Sequence, residues 1–209
     1  MKKPVISLKL LRQVNAFKLY DDARFEEIRI IELGDPGSTA LDVVFETTLL
    51  EKVDLSAATL TGLKLVDTKI LSSNLANTKS ENANILRTEF IGCRLTGLQL
   101  PDVILRDTLI QRCKFDLSLF RFGSLKDVTF DECVITGSDF LGTTLERVVF
   151  RNCDLTDSEF SQTKIKEMDL RGSKVQNIHL QKDAIIGKVK VDTGQALYLS
   201  SLFGLVIED

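Results

Sequence analysis

Four cysteines at a spacing of twenty residues are the first candidates for chemistry in this sequence. They are Cys93, Cys113, Cys133 and Cys153. Four thiolates can bind zinc or an iron–sulfur cluster. A zinc site, however, usually has its cysteines about two to four residues apart, and ligands stacked in a straight column do not converge on one tetrahedral point. We therefore interpret the thiols as small core side chains and predict no metal site and no cofactor.

Asp139, Glu159 and His179 form a second column with the same spacing. Two carboxylates and an imidazole can hold a metal ion or exchange protons. We expect this column on a flat, solvated face without a pocket, and His179 is the only histidine of the chain. The sequence also lacks a phosphate-binding glycine loop, a nucleophile elbow and an HExxH motif. We therefore predict no catalytic residues and a protein that is not an enzyme.

The composition limits the classes of partner. The chain has 209 residues, of which 44% are hydrophobic, and a net charge of −3. A chain this close to neutral has no general basic field, so no direct binding of nucleic acid is expected. No apolar run approaches the ~20 residues of a membrane helix. Because Lys9 and Arg12 also interrupt the apolar core of any signal peptide, we expect a cytoplasmic protein with reduced cysteines.

A period of five residues organises the chain from residue 45 onward. Of the 30 residues from 45 to 190 whose numbers are divisible by five, 28 are Leu, Ile, Phe or Val. The position two residues earlier is small or β-branched in 24 of the 30 cases. This period matches neither the roughly 3.6 residues of a helix nor the roughly 2 of a strand, so the chain must turn a corner in each repeat. Ser80, a polar central residue, predicts a locally distorted coil.

A longer period of twenty residues is superimposed on the first. Besides the cysteines, it is followed by Thr48, Thr68, Thr88 and Thr108, and by Ser118, Ser138 and Ser158. Twenty residues are four repeats, so one coil has four sides and like side chains stack in ladders. At the ~4.8 Å spacing of neighbouring strands, residues 41–190 would form a rod roughly 36 Å long.

The repeats resemble those of the pentapeptide-repeat proteins, whose motif is a small residue, Asp or Asn, and a central Leu or Phe. Matching segments are Val53-Asp54-Leu55, Ala83-Asn84-Ile85, Ser138-Asp139-Phe140, Cys153-Asp154-Leu155 and Met168-Asp169-Leu170-Arg171-Gly172. The resemblance covers residues 41–190. It implies an all-β fold, a right-handed quadrilateral β-helix. The second motif position departs from the pattern at Lys64, Lys69, Arg94 and Lys114.

The two ends of the chain differ from the array. We predict a cap or irregular first coil with a loop in residues 1–40, the repeat β-helix in residues 41–190 and a cap in residues 191–209. The loop is expected at the turn-rich residues 34–39. Asp192 and Gln195 form a capping-box pattern ahead of a short helix over residues 196–203, and residues 205–207 could add a final strand.

Apolar residues at outward positions indicate candidate interfaces. One cluster is Leu117, Leu119, Phe122 and Leu141. No segment of the chain offers it cover, so it either binds a partner or a second copy, or is exposed in the ordinary way. A second cluster is Val66, Leu71, Leu86 and Ile91. We expect residues 1–33 to cover it. On the C-terminal helix, Leu199 and Phe203 share a face that we expect to plug the last coil. The resemblance implies an alternative, a homodimer, because the C-terminal end makes a dimer in some pentapeptide-repeat proteins.

The sequence favours a non-catalytic protein-binding or scaffolding solenoid with an unidentified protein partner. An alternative comes from the resemblance, because some pentapeptide-repeat proteins resemble B-DNA in width and negative charge and protect gyrase and related topoisomerases from quinolones or toxins. Residues 41–190 contain 21 acidic and 20 basic residues. A DNA mimic needs a broad negative surface to occupy a basic groove, so this balance argues against mimicry.

Overall fold

The computed structural model describes residues 1–206 and is a parallel β-solenoid of about nine turns with one short C-terminal helix. Register partners lie twenty residues apart, as in the pair Leu105 and Leu125. Each turn therefore has four sides, which we name A to D by their central residues. In one coil these are Leu105 (A), Ile110 (B), Phe115 (C) and Phe120 (D). The fold class predicted from the sequence is confirmed.

The strands are short on all four sides. In chain order they are β1 (Arg12–Val14), β2 (Arg24–Glu26), β3 (Ile28–Ile31), β4 (Thr39–Leu41), β5 (Val44–Glu46), β6 (Leu49–Glu51), β7 (Thr59–Thr61), β8 (Lys64–Val66), β9 (Lys69–Leu71), β10 (Asn84–Leu86), β11 (Glu89–Ile91), β12 (Ile104–Gln111), β13 (Ser124–Asp131), β14 (Thr144–Arg151), β15 (Lys164–Asp169) and β16 (Ile185–Lys190). A 3₁₀ turn (Lys182–Ala184) precedes β16, and the helix α1 spans Thr193–Leu202. Strands β12 to β14 run across both side A and side B, whereas sides C and D are joined by isolated bridges and the pair β4–β7.

Each corner of the solenoid depends on one residue in the left-handed conformation. Residues two positions after a centre have positive φ from Asp22 to Asn177, except at Glu167. Glycine adopts this conformation without steric cost, whereas an L residue is destabilised by about 1–2 kcal/mol. Asn and Asp tolerate it better than other side chains. A large apolar residue at a corner is therefore unusual.

The interior is filled by the side chains of two positions in every five. On side D the central rings stack face to face: the centroids of Phe120 and Phe140 are 4.8 Å apart, and those of Phe140 and Phe160 are 4.7 Å apart. Two residues before each centre the side chains are smaller. Their hydroxyls donate to backbone carbonyls, as Ser118 Oγ does to Leu95 O at 2.9 Å, so these buried polar groups are satisfied.

The coil around Ser80 is regular, contrary to the predicted distortion. The Ser80 hydroxyl donates to the carbonyl of Leu60, and its N–H donates to Gln99 O at 2.8 Å. Lys79 keeps its bridge to Gln99 in the next coil. A serine fits the central position because its one polar atom finds a backbone acceptor inside the solenoid.

Strand pairing in the N-terminal region begins well before residue 41. Strand β1 pairs with β3, and β2 pairs with β5. The residues predicted to form a loop, 34–39, instead form a side and a corner in register with later coils, since Gly34 bridges Asp54 and the Gly37 N–H donates to Ser56 O at 2.8 Å. The division of the chain at residues 40 and 190 stays a prediction.

The C-terminal helix begins where the sequence predicted a cap. Asp192 accepts the N–H of Gln195, and the Gln195 side chain accepts the N–H of Asp192, each at 3.0 Å. The Gln195 amide also donates to Leu170 O at 2.6 Å and Ser173 O at 2.7 Å, which fastens the helix to the last coil. Residues 205 and 206 are not in a strand, and residue 207 lies outside the described residues. Within residues 1–206 no helix is long and apolar enough to cross a membrane.

The stacking register shifts near this end of the solenoid. Between β14 and β15 the pairing moves by one residue, so that Glu146 lies opposite Glu167. Gly187 packs directly against the carbonyl of Lys166, where a Cβ atom would have no room. The regular corner is therefore lost at Glu167, the one position in the series without a positive φ.

Candidate functional site

The apolar cluster on side D lies on two neighbouring coils near the middle of the solenoid. We call Leu117, Leu119, Phe122 and Leu141 the side D patch. Leu117 is 66% exposed and Phe122 is 59% exposed. Leu119 and Leu141 are partly buried. The Phe122 N–H donates to Leu141 O at 2.9 Å, which places the two coils side by side. The structure thus brings the four predicted residues onto one outer face.

The two most exposed residues of the side D patch lie at corners. Their backbones are left-handed, with φ of 58° at Leu117 and 60° at Phe122. Gly137 and Gly142 occupy the same corners one coil later. A Cβ on Gly137 would lie 3.0 Å from Leu117 Cδ2, and one on Gly142 would lie 2.6 Å from Phe122 Cδ1. Each large side chain therefore lies over a glycine of the next coil. The missing Cβ leaves room for the side chain, whose outer surface stays exposed.

One ion pair crosses the side D patch. Arg121 Nε donates to Asp139 Oδ2 at 2.7 Å, and the other oxygen of Asp139 accepts the N–H of Leu141 at 2.8 Å. The two charges neutralise each other inside the patch. An apolar centre bordered by paired polar groups is the usual anatomy of a protein–protein interface.

The central repeats match a known family. Residues 83–160 match the family model described as a pentapeptide repeat region. This chain contains a pentapeptide repeat region. Among curated proteins, none has a sequence that matches it.

Solved structures of pentapeptide-repeat proteins are also similar to this chain. A trypsin-treated form of QnrB1, described as a plasmid-mediated fluoroquinolone resistance protein, is 17% identical with a TM-score of 0.40 and covers 91% of this chain and 100% of its own. HetL, a pentapeptide repeat protein involved in heterocyst differentiation regulation from the cyanobacterium Nostoc sp. strain PCC 7120, is 15% identical with a TM-score of 0.43 and covers 81% of this chain and 87% of its own. At these identities the likeness concerns the fold alone.

Beyond this repeat region, the helical face of Leu199 and Phe203 lies toward the solenoid. Leu199 is 6% exposed, Phe203 is half-buried, and both belong to or pack against the core. The Tyr198 hydroxyl accepts the N–H of Asn177 at 2.7 Å, which adds a polar link to the last coil. This placement favours the plug over the dimer, and the homodimer stays a prediction.

The second apolar cluster lies beside the N-terminal segment. Asp67, the corner residue next to Val66, accepts the N–H of Val5 at 2.8 Å, and Asp107 accepts the N–H of Lys2 at 2.6 Å. The N-terminal residues therefore run along the corner between sides A and B. Val66 and its three companions are only partly exposed, as expected for a cluster that lies beside another segment.

The cysteine ladder is buried in the interior, where each thiol bonds to backbone. All four cysteines are free and buried. Cys93 Sγ donates to Ile70 O at 3.3 Å, and Cys113 Sγ donates to Gln111 O at 3.3 Å. Hydrogen bonding to Cys133 and Cys93, together with burial, raises the pKa of the Cys113 thiol. Cys113 is therefore protonated and buried, which makes this thiol a poor nucleophile and a poor metal ligand.

The column of Asp139, Glu159 and His179 is in register on side D, but Asp139 does not bond to the other two. Asp139 pairs with Arg121, and Glu159 Oε2 lies 3.0 Å from His179 Nδ1. Although burial acts to raise it, hydrogen bonds from Ser161 and His179 hold the pKa of Glu159 below its usual value. No group of three His, Cys, Asp or Glu side chains within residues 1–206 is arranged to hold a metal ion.

A basic depression between sides B and C was missed by the sequence reasoning. Arg94, Arg112 and Lys114 line an open depression of about 540 Å³. Two of these residues, Arg94 and Lys114, were noticed only as departures from the repeat motif. The signal that could have found the depression is their spacing of twenty residues, which stacks two cations on neighbouring coils.

Proposed function

We propose that this chain is a non-catalytic protein-binding solenoid whose side D patch contacts a protein partner. The observation that supports this most is the left-handed backbone of Leu117 and Phe122. These corners would be more stable with Gly, Asn or Asp, because other L residues in the left-handed conformation are destabilised by about 1–2 kcal/mol. Burying a large apolar side chain in an interface returns about 1.5–3 kcal/mol. Burial against a partner would therefore offset the backbone strain at Leu117 and Phe122.

The rest of the molecule supports a binding role over catalysis. The interior is filled with side chains, so the solenoid encloses no reaction chamber in residues 1–206. The groups that could act as acids or bases, such as Glu159 and His179, lie on an outer face and bond to each other. Catalysis by acid and base needs groups that converge on one substrate position.

The charge pattern favours this function over DNA mimicry. Eight ion pairs join an outer acidic side chain to a cation or histidine of the neighbouring coil. Glu146 contacts Lys126 at 2.8 Å and Lys166 at 3.3 Å, and these partners, with Arg147, lower its pKa to about 2. A basic groove is attracted by uncompensated negative charge, which paired carboxylates supply poorly.

The test replaces the two apolar corners with a residue that suits the left-handed conformation. Leu117→Asn combined with Phe122→Asn removes apolar surface without adding backbone strain. The matched control is Ala57→Asn, an exposed corner in the same column as Leu117 with φ of 56°. Each protein is immobilised and exposed to lysate of the source organism, and the retained proteins are identified by mass spectrometry and confirmed with purified partner.

The wild type and the Ala57→Asn variant should retain the same partner. The double variant should bind it at least about tenfold more weakly, the loss expected for two interface anchors. Equal binding by the double variant would show that the side D patch is not the contact surface. A supercoiling assay with gyrase and ciprofloxacin examines the alternative, since protection of gyrase would favour mimicry.

A further inference from the structure

Outer charges on this solenoid are usually compensated from coil to coil. Eight ion pairs join oppositely charged residues that are twenty positions apart in sequence and therefore lie on neighbouring coils. They are Glu32–Lys52, Lys69–Glu89, Asp67–Arg87, Lys126–Glu146, Asp127–Arg147, Glu146–Lys166, Asp154–Lys174 and Glu159–His179. Opposite charges directly across neighbouring strands stabilise a sheet, so this arrangement is the expected one.

The corner between sides B and C departs from this arrangement. Arg94 and Lys114 are direct register partners on neighbouring coils, and both are cations. Arg112 lies at the corner just before Lys114. In the part of the chain that the structure describes, none of the three takes part in an ion pair within 4.0 Å. Like charges in register weaken the pairing of neighbouring strands, so the fold gains nothing from placing these cations next to each other.

The three cations face one space. They line the depression of about 540 Å³ together with Gly92, Thr96 and Asp116. Gly92 contributes no side chain, and a Cβ built on it would approach only Ser72 Oγ, at 3.8 Å. The depression is therefore open above the backbone, with basic side chains around it.

One carboxylate partly compensates the cations. Asp116 lines the depression, but its Oδ1 accepts the hydroxyl of Thr96 at 2.9 Å. Glu132 follows Arg112 one coil later and makes no ion pair within 4.0 Å with any described residue. Glu132 is not part of the lining, and among the residues that line the depression the three cations and Asp116 leave a net charge of about +2, since Arg and Lys stay protonated at neutral pH.

We propose that the depression is a binding site for a phosphomonoester dianion. A phosphate group carries about −1.5 to −2 charge at pH 7, which matches the net charge of the depression better than the single charge of a carboxylate. Guanidinium groups bind phosphate oxygens through two parallel N–H bonds, and a lysine adds a point charge. The volume exceeds that of a phosphate ion, which leaves space for the small molecule or phosphorylated side chain that carries it. This site is separate from the side D patch and does not depend on the proposed function.

The test follows backbone amide shifts in two-dimensional NMR spectra during titration at constant ionic strength. The probes are inorganic phosphate, sulfate and acetate. Saturable shifts of Gly92, Arg94, Arg112 and Lys114 are expected with phosphate and sulfate, with acetate binding about tenfold more weakly for one fewer charge. Shifts that spread over the whole surface without saturation would overturn the proposal.

Two double variants that lose the same amount of charge show whether phosphate binds in the depression or is attracted by the positive charge of the whole surface. Arg94→Gln with Arg112→Gln should weaken phosphate binding by at least about tenfold, because both bidentate contacts are lost. Lys64→Gln with Lys79→Gln removes two exposed cations elsewhere and should leave binding unchanged. An equal loss in both variants would overturn the proposal. Circular dichroism and thermal unfolding confirm that each variant is folded.

Further probes identify the source of the phosphate group. A phosphoserine peptide that binds more tightly than inorganic phosphate and than its unphosphorylated form would support the site and indicate a phosphorylated protein segment. Equal binding of the peptide and inorganic phosphate would support a small phosphorylated molecule. A nucleic-acid duplex that binds more tightly than either, with no loss in the Arg94→Gln and Arg112→Gln variant, would overturn the proposal.

Discussion

Side D contains phenylalanines in two opposite environments. Phe140 is fully buried in a stack between Phe120 and Phe160, whereas Phe122 lies at a corner and is 59% exposed. The five-residue period determines the first environment, because a central position always points inward. The corner position is constrained only by its positive φ, so its side chain is free to vary. The interior thus stabilises the solenoid, and the corners and outer columns distinguish one solenoid from another.

The two environments should differ most in how much the free energy of unfolding changes when the phenylalanine ring is removed. Phe140→Ala removes a ring with neighbours above and below and should lower the free energy of unfolding by about 3–5 kcal/mol. Phe122→Ala should change it by less than about 0.5 kcal/mol, as is usual for an exposed side chain. Urea denaturation followed by circular dichroism measures both. A comparable loss in the two variants would mean that Phe122 is part of the stabilising core.

The interior was predictable from the sequence because each central position must be buried. The register, the burial of the cysteines and the capping box of Asp192 and Gln195 follow from residue type and spacing alone. The loop predicted for residues 34–39 failed for a physical reason. Gly37 supplies the same positive φ that every corner of this solenoid needs, so turn-forming residues do not distinguish a loop from a regular corner.

The outer sites were less predictable because they depend on neighbours from other coils. The sequence placed the side D patch outward, but not the glycines over which Leu117 and Phe122 lie. It also did not predict the basic depression. The cluster is visible only when charges are compared one coil apart, where Arg94 and Lys114 are alike, whereas eight other pairs with this spacing form ion pairs.

A smaller change in the free energy of unfolding, this time an increase, is expected at the corners of the side D patch. Leu117→Asn combined with Phe122→Asn relaxes two left-handed residues and should raise the free energy of unfolding by about 1 kcal/mol in total, after the loss of some apolar contact. Ala57→Asn should raise it by a similar or smaller amount per site. A double variant less stable than the wild type would show that packing over Gly137 and Gly142 outweighs the strain. The patch would then be a structural feature, and the binding proposal would lose its main support.

The smallest effect is expected for a compensated ion pair on the outer columns. Arg87 contacts Asp67 through two nitrogens, at 2.8 Å and 2.6 Å, and hydrogen bonding to Arg87 lowers the pKa of Asp67 although burial opposes it. A carboxylate whose pKa is lower in the folded protein stabilises the fold at a pH above its unfolded value, which is about 3.9. This contribution is lost as the pH falls through the folded pKa.

Arg87→Gln should therefore lower the melting temperature at pH 7 by about 2–4 °C or less, the range of a partly exposed ion pair, and the difference should be smaller at pH 2, below the unfolded pKa of about 3.9. Arg94→Gln is the matched control, because it removes a cation without an ion pair and should not lower the melting temperature at either pH. Calorimetry at pH 7 and at pH 2 measures how far the melting temperature of each variant differs from that of the wild type. Arg94→Gln could instead be as destabilising at pH 7 as Arg87→Gln. The cations of the basic depression would then already be compensated within the fold. The contrast between paired and unpaired outer charges would not hold.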